Sequence, residues 1–178
     1  DGGKITEKVF VSESVDGKPV VQKIDTSVWQ FKGGGDFNGD GKNDILWYNI
    51  AAGDPDYGKL AIWFMDGGKI TKKDMVADKS SVLKIASTIW QVEGIGDFDG
   101  DGKADILWNN TANVYNSGAN VGRVGMWLMD GAKAVTTGGI SDQGSSKLLV
   151  IQPHLWIFKG SGDFDGDGKT DIVYQEIN

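Results

Sequence analysis

The residues that could do chemistry are aspartates placed at every second position of an acidic, glycine-rich loop. The loop reads Asp-x-Asp/Asn-x-Asp-Gly-x-x-Asp and occurs three times in the chain. Alternate side chains of such a loop point into one concavity, and the glycine after the third of them allows the sharp turn that brings the later oxygens round. Flexible sites built only from oxygen select Ca²⁺ over Mg²⁺ and over softer transition metals. The loops therefore predict three calcium sites.

Each predicted site has four side-chain ligands and one backbone carbonyl, that of a lysine. The ligands are Asp36, Asn38, Asp40, Lys42 and Asp44 in loop 1; Asp97, Asp99, Asp101, Lys103 and Asp105 in loop 2; and Asp163, Asp165, Asp167, Lys169 and Asp171 in loop 3. Without a cation these carboxylates repel one another, so we expect the empty loop to be loose.

Two other interpretations of the loops have to be weighed. Ordinary solvated Asp-Gly turns are one, but turns do not require an oxygen at every second position. A helical calcium loop of the EF-hand kind is the other, and it needs an acid at its twelfth position and a helix after it. That position holds Trp47, Trp108 and Tyr174, within a β-strand pattern. The sequence therefore favours loops that run into strands.

The loops belong to a longer internal repeat. Residues 29–47, 90–108 and 156–174 align without a gap, and their first ligands lie 61 and then 66 residues apart. A second block, KLAIWFMDGGKI from Lys59 and RVGMWLMDGAKA from Arg123, follows the first two copies. This spacing accommodates about four short strands per unit.

Period-2 alternation and β-branched or aromatic content predict where those strands lie. In the first unit they are residues 28–34, 44–49, 59–65 and 69–75, and four equivalents begin at Ile89, Asp105, Arg123 and Lys133. The tryptophans recur in register, which is what packing between repeats demands; platforms for sugar stacking are the alternative. Phe37, Phe98 and Phe164 are predicted to anchor each loop to its own sheet.

Composition fits an all-β protein and excludes several functions. The 178 residues are 39% hydrophobic and include 27 glycines, which suits many tight turns. The net charge of −7 repels phosphate backbones, so we expect no nucleic-acid partner. No apolar run is long enough for a membrane span. The chain has no cysteine, which excludes disulfides and thiolate catalysis.

Residues 96–108, GDFDGDGKADILW, resemble the FG-GAP or VCBS-type repeat, the unit of the integrin-α-like β-propeller. The resemblance implies an all-β fold of tandem four-stranded antiparallel blades, with a calcium loop joining the first two strands of each blade. It also implies a secreted or cell-surface protein that binds a protein or glycan partner, or one that accompanies a catalytic domain.

On this basis we predict one repeat domain holding a partial ring of about three blades. Residues 1–26 are assigned to the last strand of a preceding blade plus a linker, 27–87 to the first blade, 88–152 to the second and 153–178 to a partial third. The resemblance implies a propeller that closes with about seven blades, more than this chain holds. We therefore expect either a piece of a longer propeller or a protomer whose copies associate to complete a ring.

No catalytic constellation is visible, so we predict that the chain is not an enzyme. The only histidine, His154, is not repeated, and every clustered carboxylate is already assigned to metal. The predicted function is a calcium-stabilised binding or adhesion module. The alternatives are a purely architectural repeat array and a non-catalytic accessory domain of a larger secreted enzyme.

Overall fold

The computed structural model of the chain describes residues 10–112, 121–141 and 146–177, which form twelve β-strands and no helix. The strands are β1 Ser12–Val15, β2 Lys18–Val21, β3 Trp29–Gly35, β4 Asp44–Asn49, β5 Leu60–Asp66, β6 Lys69–Met75, β7 Trp90–Gly96, β8 Asp105–Asn110, β9 Val124–Asp130, β10 Lys133–Gly139, β11 Trp156–Gly162 and β12 Asp171–Glu176. The all-β prediction is confirmed, and the repeat strands lie within about a residue of their predicted bounds.

The repeat strands pair as antiparallel meanders. β3 to β6 run in order across one sheet and β7 to β10 across another, while β11 pairs with β12 alone. We call these blade 1, blade 2 and blade 3. The first strand of each blade carries a register shift, between Phe31 and Gly33 in blade 1 and at the equivalent positions of the others. Such bulges increase the local twist of a strand.

The blades stack face against face around their first strands. β3 contacts β7, and β7 contacts β11. Between blades 1 and 2 lies one apolar cluster that draws on both sheets, with Tyr48 of blade 1 edge-on to Trp108 of blade 2 at a centroid distance of 5.8 Å. Trp127 also lies in this cluster, so the predicted packing of tryptophans between repeats is confirmed there. This arrangement is that of a propeller-type domain.

An N-terminal hairpin extends blade 1 at its outer edge. β1 and β2 are joined by Asp16 and Gly17, both at positive φ, and β1 runs parallel to β6. Glu13 of β1 pairs with Lys73 of β6 at 2.6 Å. Sequence analysis predicted only a linker here, although Asp-Gly is a strong signal for a two-residue hairpin turn. The last strand of a preceding blade was predicted at the start of residues 1–26, and residues 1–9 lie outside the described residues.

Candidate metal centre

The three acidic loops share one backbone conformation. Each leaves the first strand of its blade and enters the second, and each holds two glycines in the left-handed region. In loop 1 these are Gly39 and Gly41, at φ of 76° and 81°. Loops 2 and 3 repeat them within a few degrees: Gly100, Gly102, Gly166 and Gly168. Side chains other than glycine rarely adopt this conformation, which explains why both positions recur.

The first aspartate of each loop organises the turn. In loop 1, Oδ1 of Asp36 accepts hydrogen bonds from the backbone N–H of Gly39 at 2.7 Å and of Asp40 at 3.1 Å, while Oδ2 accepts one from Gly41 at 2.6 Å. Asp97 and Asp163 accept the same three bonds in their loops. The turn is therefore built by side-chain to backbone bonds that fix where the carboxylates point.

The last aspartate ties the loop to the sheet. Asp44 is fully buried, and its two oxygens accept hydrogen bonds from the N–H of Phe37 at 3.1 Å and from that of Met65, on β5, at 2.9 Å. Asp105 does the same with Phe98 and Met129 of blade 2. These bonds hold a carboxylate at the base of the loop while each oxygen keeps a second lone pair for a ligand.

Burial at the base of loop 2 disfavours the charged form of the Asp105 carboxylate. Its pKa is raised to about 6, chiefly by burial and further by the charges of Asp99 and Asp101. The hydrogen bonds from Met129 and Phe98 oppose this shift. Three charges of one sign at close range favour protonation of one of them. A cation in the loop would remove that repulsion and favour the charged form.

The carboxylates of loops 2 and 3 meet the distance requirement for a metal ion. Oxygens of Asp97, Asp99 and Asp105 all lie within 4.8 Å of one another, as do those of the equivalent residues of loop 3, Asp163, Asp165 and Asp171. Oxygens on opposite sides of one Ca²⁺ are separated by about 4.6–5.2 Å, because each Ca–O distance is about 2.3–2.6 Å. The donor set is entirely oxygen, which suits a hard cation. The residues therefore fit calcium.

The remaining predicted ligands are not among these two groups of close carboxylates. Loop 1 has Asn38 where the others have aspartate, and its amide oxygen accepts from Asp40 N–H at 2.9 Å. The side chain of the third aspartate in each loop accepts a hydrogen bond from the backbone N–H of the lysine two residues later, as Asp40 does from Lys42. The corresponding Asp101 and Asp167 stand outside the two close groups. Coordination by these side chains and by the carbonyls of Lys42, Lys103 and Lys169 stays a prediction.

Sequence analysis missed the direct contact between neighbouring loops. The N–H of Ala104, in loop 2, donates to the carbonyl of Asp36 in loop 1 at 2.7 Å, and Thr170 of loop 3 donates to Asp97 at 2.6 Å. The N–H of Gly131, in the turn between β9 and β10, donates to the carbonyl of Phe37 at 2.8 Å. The three loops therefore form one row in which each loop supports the preceding one.

The phenylalanine of loop 1 packs between blades, whereas the sequence predicted that it anchors the loop to its own sheet. Phe37 is fully buried in the cluster shared by blades 1 and 2, beside Ala104. Phe98 is partly buried, and Phe164 is 66% exposed. One sequence position thus has three different environments, because blade 2 has four strands, blade 3 has two described strands, and no described residue covers blade 3.

Comparison with known proteins agrees with this geometry. The sequence model of the FG-GAP-like repeat matches residues 36–108, which run from the first ligand of loop 1 through blade 1 to Trp108 of β8, the last residue of the second copy of the loop-containing block. This part of the chain is an FG-GAP-type repeat, a kind of repeat that is generally non-catalytic and typically extracellular. No curated protein and no solved structure matches the chain. Within the described ranges, no helix that could cross a membrane is found.

Proposed function

We propose that the chain is a calcium-stabilised module of a propeller-type domain that binds a protein or glycan partner outside the cell. The observation that carries the calcium part is the triplicate loop, in which the same hydrogen bonds aim carboxylates into one space at three successive positions. A surface turn needs no such repetition. Extracellular modules of this kind bind Ca²⁺ at about 10⁻⁴–10⁻³ M, the range of calcium outside cells.

Charge explains what the metal would supply. Three Ca²⁺ ions carry +6 against the formal charge of −7, which leaves about −1. Bound calcium would neutralise the carboxylates that the loops bring together, and each ion would join the end of a first strand to the start of a second. Because an unfolded loop cannot hold the carboxylates in this arrangement, metal binding would be coupled to folding.

A pocket on blade 1 supports the partner-binding part. It has a volume of about 330 Å³ and is lined by Trp29, Trp47 and Trp63 together with the carboxylates of Asp56 and Asp74. The ammonium group of Lys73 lies 4.6 Å from the centroid of the Trp63 ring, and Asp56 and Asp74 each pair with a lysine at 2.6 Å. Indole rings beside such charged hydrogen-bonding groups are suited to a ring with one apolar face and peripheral hydroxyls, as in a sugar.

The equivalent pocket of blade 2 is a natural comparison. It measures about 290 Å³ and has Trp90, Trp108 and Trp127, but Gly138 replaces Asp74 and no carboxylate lines it. Binding of a glycan at blade 1 alone would therefore point to the carboxylates as the source of specificity.

A groove between blades 1 and 2 favours a protein partner as the second candidate. It has a volume of about 720 Å³, an aromatic wall at Phe64, and charges of both signs at Lys72, Lys133, Asp74 and Asp130. A peptide could place an apolar side chain against Phe64 and pair its own charges around the rim.

Thermal unfolding at increasing calcium concentration tests the metal assignment. A ligand that binds only the folded state stabilises it by about 2.7 kcal/mol per site at one hundred times its dissociation constant. We therefore expect the melting temperature to rise with the logarithm of calcium concentration and to fall in chelator, with equimolar Mg²⁺ as the matched control. Identical melting in calcium and in excess chelator would show that the loops are solvated turns.

A glycan array with calcium present, repeated with Asp56→Ala, tests the partner. Binding that this substitution abolishes supports the blade 1 pocket. Capture of protein partners without any glycan would support the groove instead. Failure of both would leave an architectural array that spaces other domains, or a non-catalytic accessory domain of a larger secreted enzyme.

A further inference from the structure

The pocket on blade 2 has a buried aromatic floor and an open mouth. Its volume is about 290 Å³, and the buried Trp108 and Trp127 line it. Thr137 and Gly138 of β10 also line it, and both are exposed. Ile85, from the segment that joins blades 1 and 2, forms part of the wall. The pocket therefore lies at the junction of two blades that both belong to the described residues.

Three glycines at strand positions distinguish this pocket from its blade 1 equivalent. In blade 1 the corresponding positions hold Ala61, Asp74 and Met75, all of which line the pocket there. Blade 2 has glycine at each of these positions: Gly125, Gly138 and Gly139. None of the three has a positive φ, so the backbone conformation does not require glycine. Glycine inside a strand weakens it and often marks a site that a ligand approaches closely.

The space beside these glycines belongs to the pocket. A Cβ atom on Gly125 would lie 3.6 Å from the ring of Trp90 and 3.8 Å from Cβ of Trp108, two residues that line the pocket. One on Gly138 would have nothing within 4 Å in the described part of the chain. Only Gly139 has a close neighbour, since its Cβ would lie 2.8 Å from the flexible side chain of Leu148. The missing side chains therefore leave room that the chain itself does not fill.

The floor of the pocket also holds an unpaired hydrogen-bond donor. Trp108 is 1% exposed, and its Nε1 has no hydrogen-bond partner among the described residues. Indole nitrogen can only donate, and buried polar groups are normally paired, so this N–H calls for an acceptor. The rings of Trp108 and Trp127 are tilted by 54° with centroids 4.9 Å apart, which offers a planar ligand both a face and an edge.

The lining of the pocket selects against charged ligands and against sugars. None of the described residues that line it carries a charge, so an ionic ligand would lose its water without gaining a partner. The polar side-chain groups are indole N–H groups and the hydroxyl of Thr137. A sugar would leave most of its hydroxyls unpaired against them, whereas a flat ring with one acceptor would not. The volume lies at the lower end of small-molecule sites, which span about 300–1,000 Å³.

We propose that the blade 2 pocket binds a small, uncharged aromatic ring that carries one hydrogen-bond acceptor. The acceptor takes the indole N–H of Trp108, and the ring packs against Trp108 and Trp127 in the space left by Gly125 and Gly139. This ligand class differs from the glycan or protein partner proposed for blade 1 and for the groove, so the site is additional to that function and does not depend on it.

Acetophenone is a suitable probe, because it is an uncharged aromatic ring whose one acceptor is a carbonyl oxygen. The ¹H–¹⁵N spectrum of the seven tryptophan indole groups, recorded in calcium, reports where it binds. The Trp108 signal is identified by its loss in Trp108→Phe. We expect acetophenone to move this signal downfield in a saturable manner, as hydrogen bonding does, and toluene to produce no such displacement. Benzoate should bind at least about tenfold more weakly than acetophenone, because its charge has no partner.

Substitutions taken from blade 1 test the role of the glycines. Gly125→Ala combined with Gly139→Met gives blade 2 the residues that blade 1 holds at these positions, in the same strand geometry. The added side chains occupy the pocket, so acetophenone should bind at least about tenfold more weakly. Thr136→Ala is the matched control, because Thr136 is an exposed residue of β10 that does not line the pocket. The remaining indole signals show that each variant is folded.

A Trp108 signal that stays in place throughout the titration would overturn the proposal, and so would equal binding by the double variant. Trp47 provides an internal comparison, since its Nε1 in the blade 1 pocket is also unpaired among the described residues. Displacement of the Trp47 signal alone would place the ring in the wrong pocket and would likewise overturn the proposal. Melting temperatures in calcium and in chelator are measured separately, so failure at this site is distinguishable from failure of the calcium assignment.

Discussion

Replacing Phe37, Phe98 and Phe164 by alanine, one at a time, tests whether the blades stabilise one another. All three follow the first ligand of an acidic loop, so any effect exerted through the loop itself should be shared. Their burial is not shared: Phe37 is 0% exposed, Phe98 is intermediate and Phe164 is 66% exposed. A difference among the three variants therefore reports packing between blades.

The expected size of each effect follows from burial. Truncation of a fully buried phenylalanine costs about 3–5 kcal/mol, because it removes transferred apolar surface and leaves a cavity. Phe37→Ala should reach this range, because the ring is packed between blades 1 and 2 and the cavity left by its removal could not easily close. Phe164→Ala should change the free energy of unfolding by no more than about 0.5 kcal/mol, as is usual at exposed sites. Phe98→Ala should fall between the two.

Denaturant unfolding at a fixed calcium concentration measures the three costs. At about 2–4 °C per kcal/mol for a chain of this size, Phe37→Ala should also lower the melting temperature by roughly 6–20 °C. Equal costs for the three variants would show that the rings act within their own loops. A cost that is largest for Phe164→Ala would contradict the burial argument altogether.

Further outcomes follow from single contacts. Asp99→Ala should reduce the number of calcium ions bound in calorimetric titration from three to two, while Glu176→Ala, at an exposed carboxylate outside the loops, should leave three. Gly96→Ala should cost about 1–3 kcal/mol in chemical denaturation, because the added Cβ would lie 2.6 Å from a neighbouring side chain; Gly138→Ala, with nothing within 4 Å, should be close to neutral. Tyr48→Phe should lower stability by about 1–2 kcal/mol in the same assay, since its buried hydroxyl donates to the carbonyl of Ile85 at 2.9 Å, and an unchanged midpoint would show that this bond contributes nothing.

Strand positions could be predicted because the pattern that specifies a strand lies within the strand's own few residues. β4 and β6 begin and end at the predicted residues, since alternation of apolar residues and the turn at Gly67 are encoded within a few positions. The β1–β2 hairpin was missed although its turn sequence was visible. Its place on β6 is a contact between residues about 57 positions apart, and no local pattern specifies that pairing.

The acidic loops likewise have some features that the local sequence specifies and others that depend on distant segments. Their carboxylates lie within nine consecutive residues, so spacing alone indicates which oxygens can converge. The bond from Met65 to Asp44 and the bond from Ala104 to Asp36 join separate segments, and the repeat pattern does not indicate them. Gly35 is an example. Its recurrence in the three copies is visible in the sequence, but the reason is not: a Cβ atom at this position would lie 2.6 Å from Cβ of Ala104 in the neighbouring loop.

The sequence by itself determined the all-β class, the repeat, the order of strands and the oxygen-rich loops, because each of these depends on residues near one another in the chain. The tertiary structure alone decided how much of each repeat is covered. Phe37, Phe98 and Phe164 occupy the same position in nearly the same sequence, yet their exposure differs. The reason is physical: burial is a property of what packs against a residue, and that partner comes from the next blade rather than from the residue's own segment.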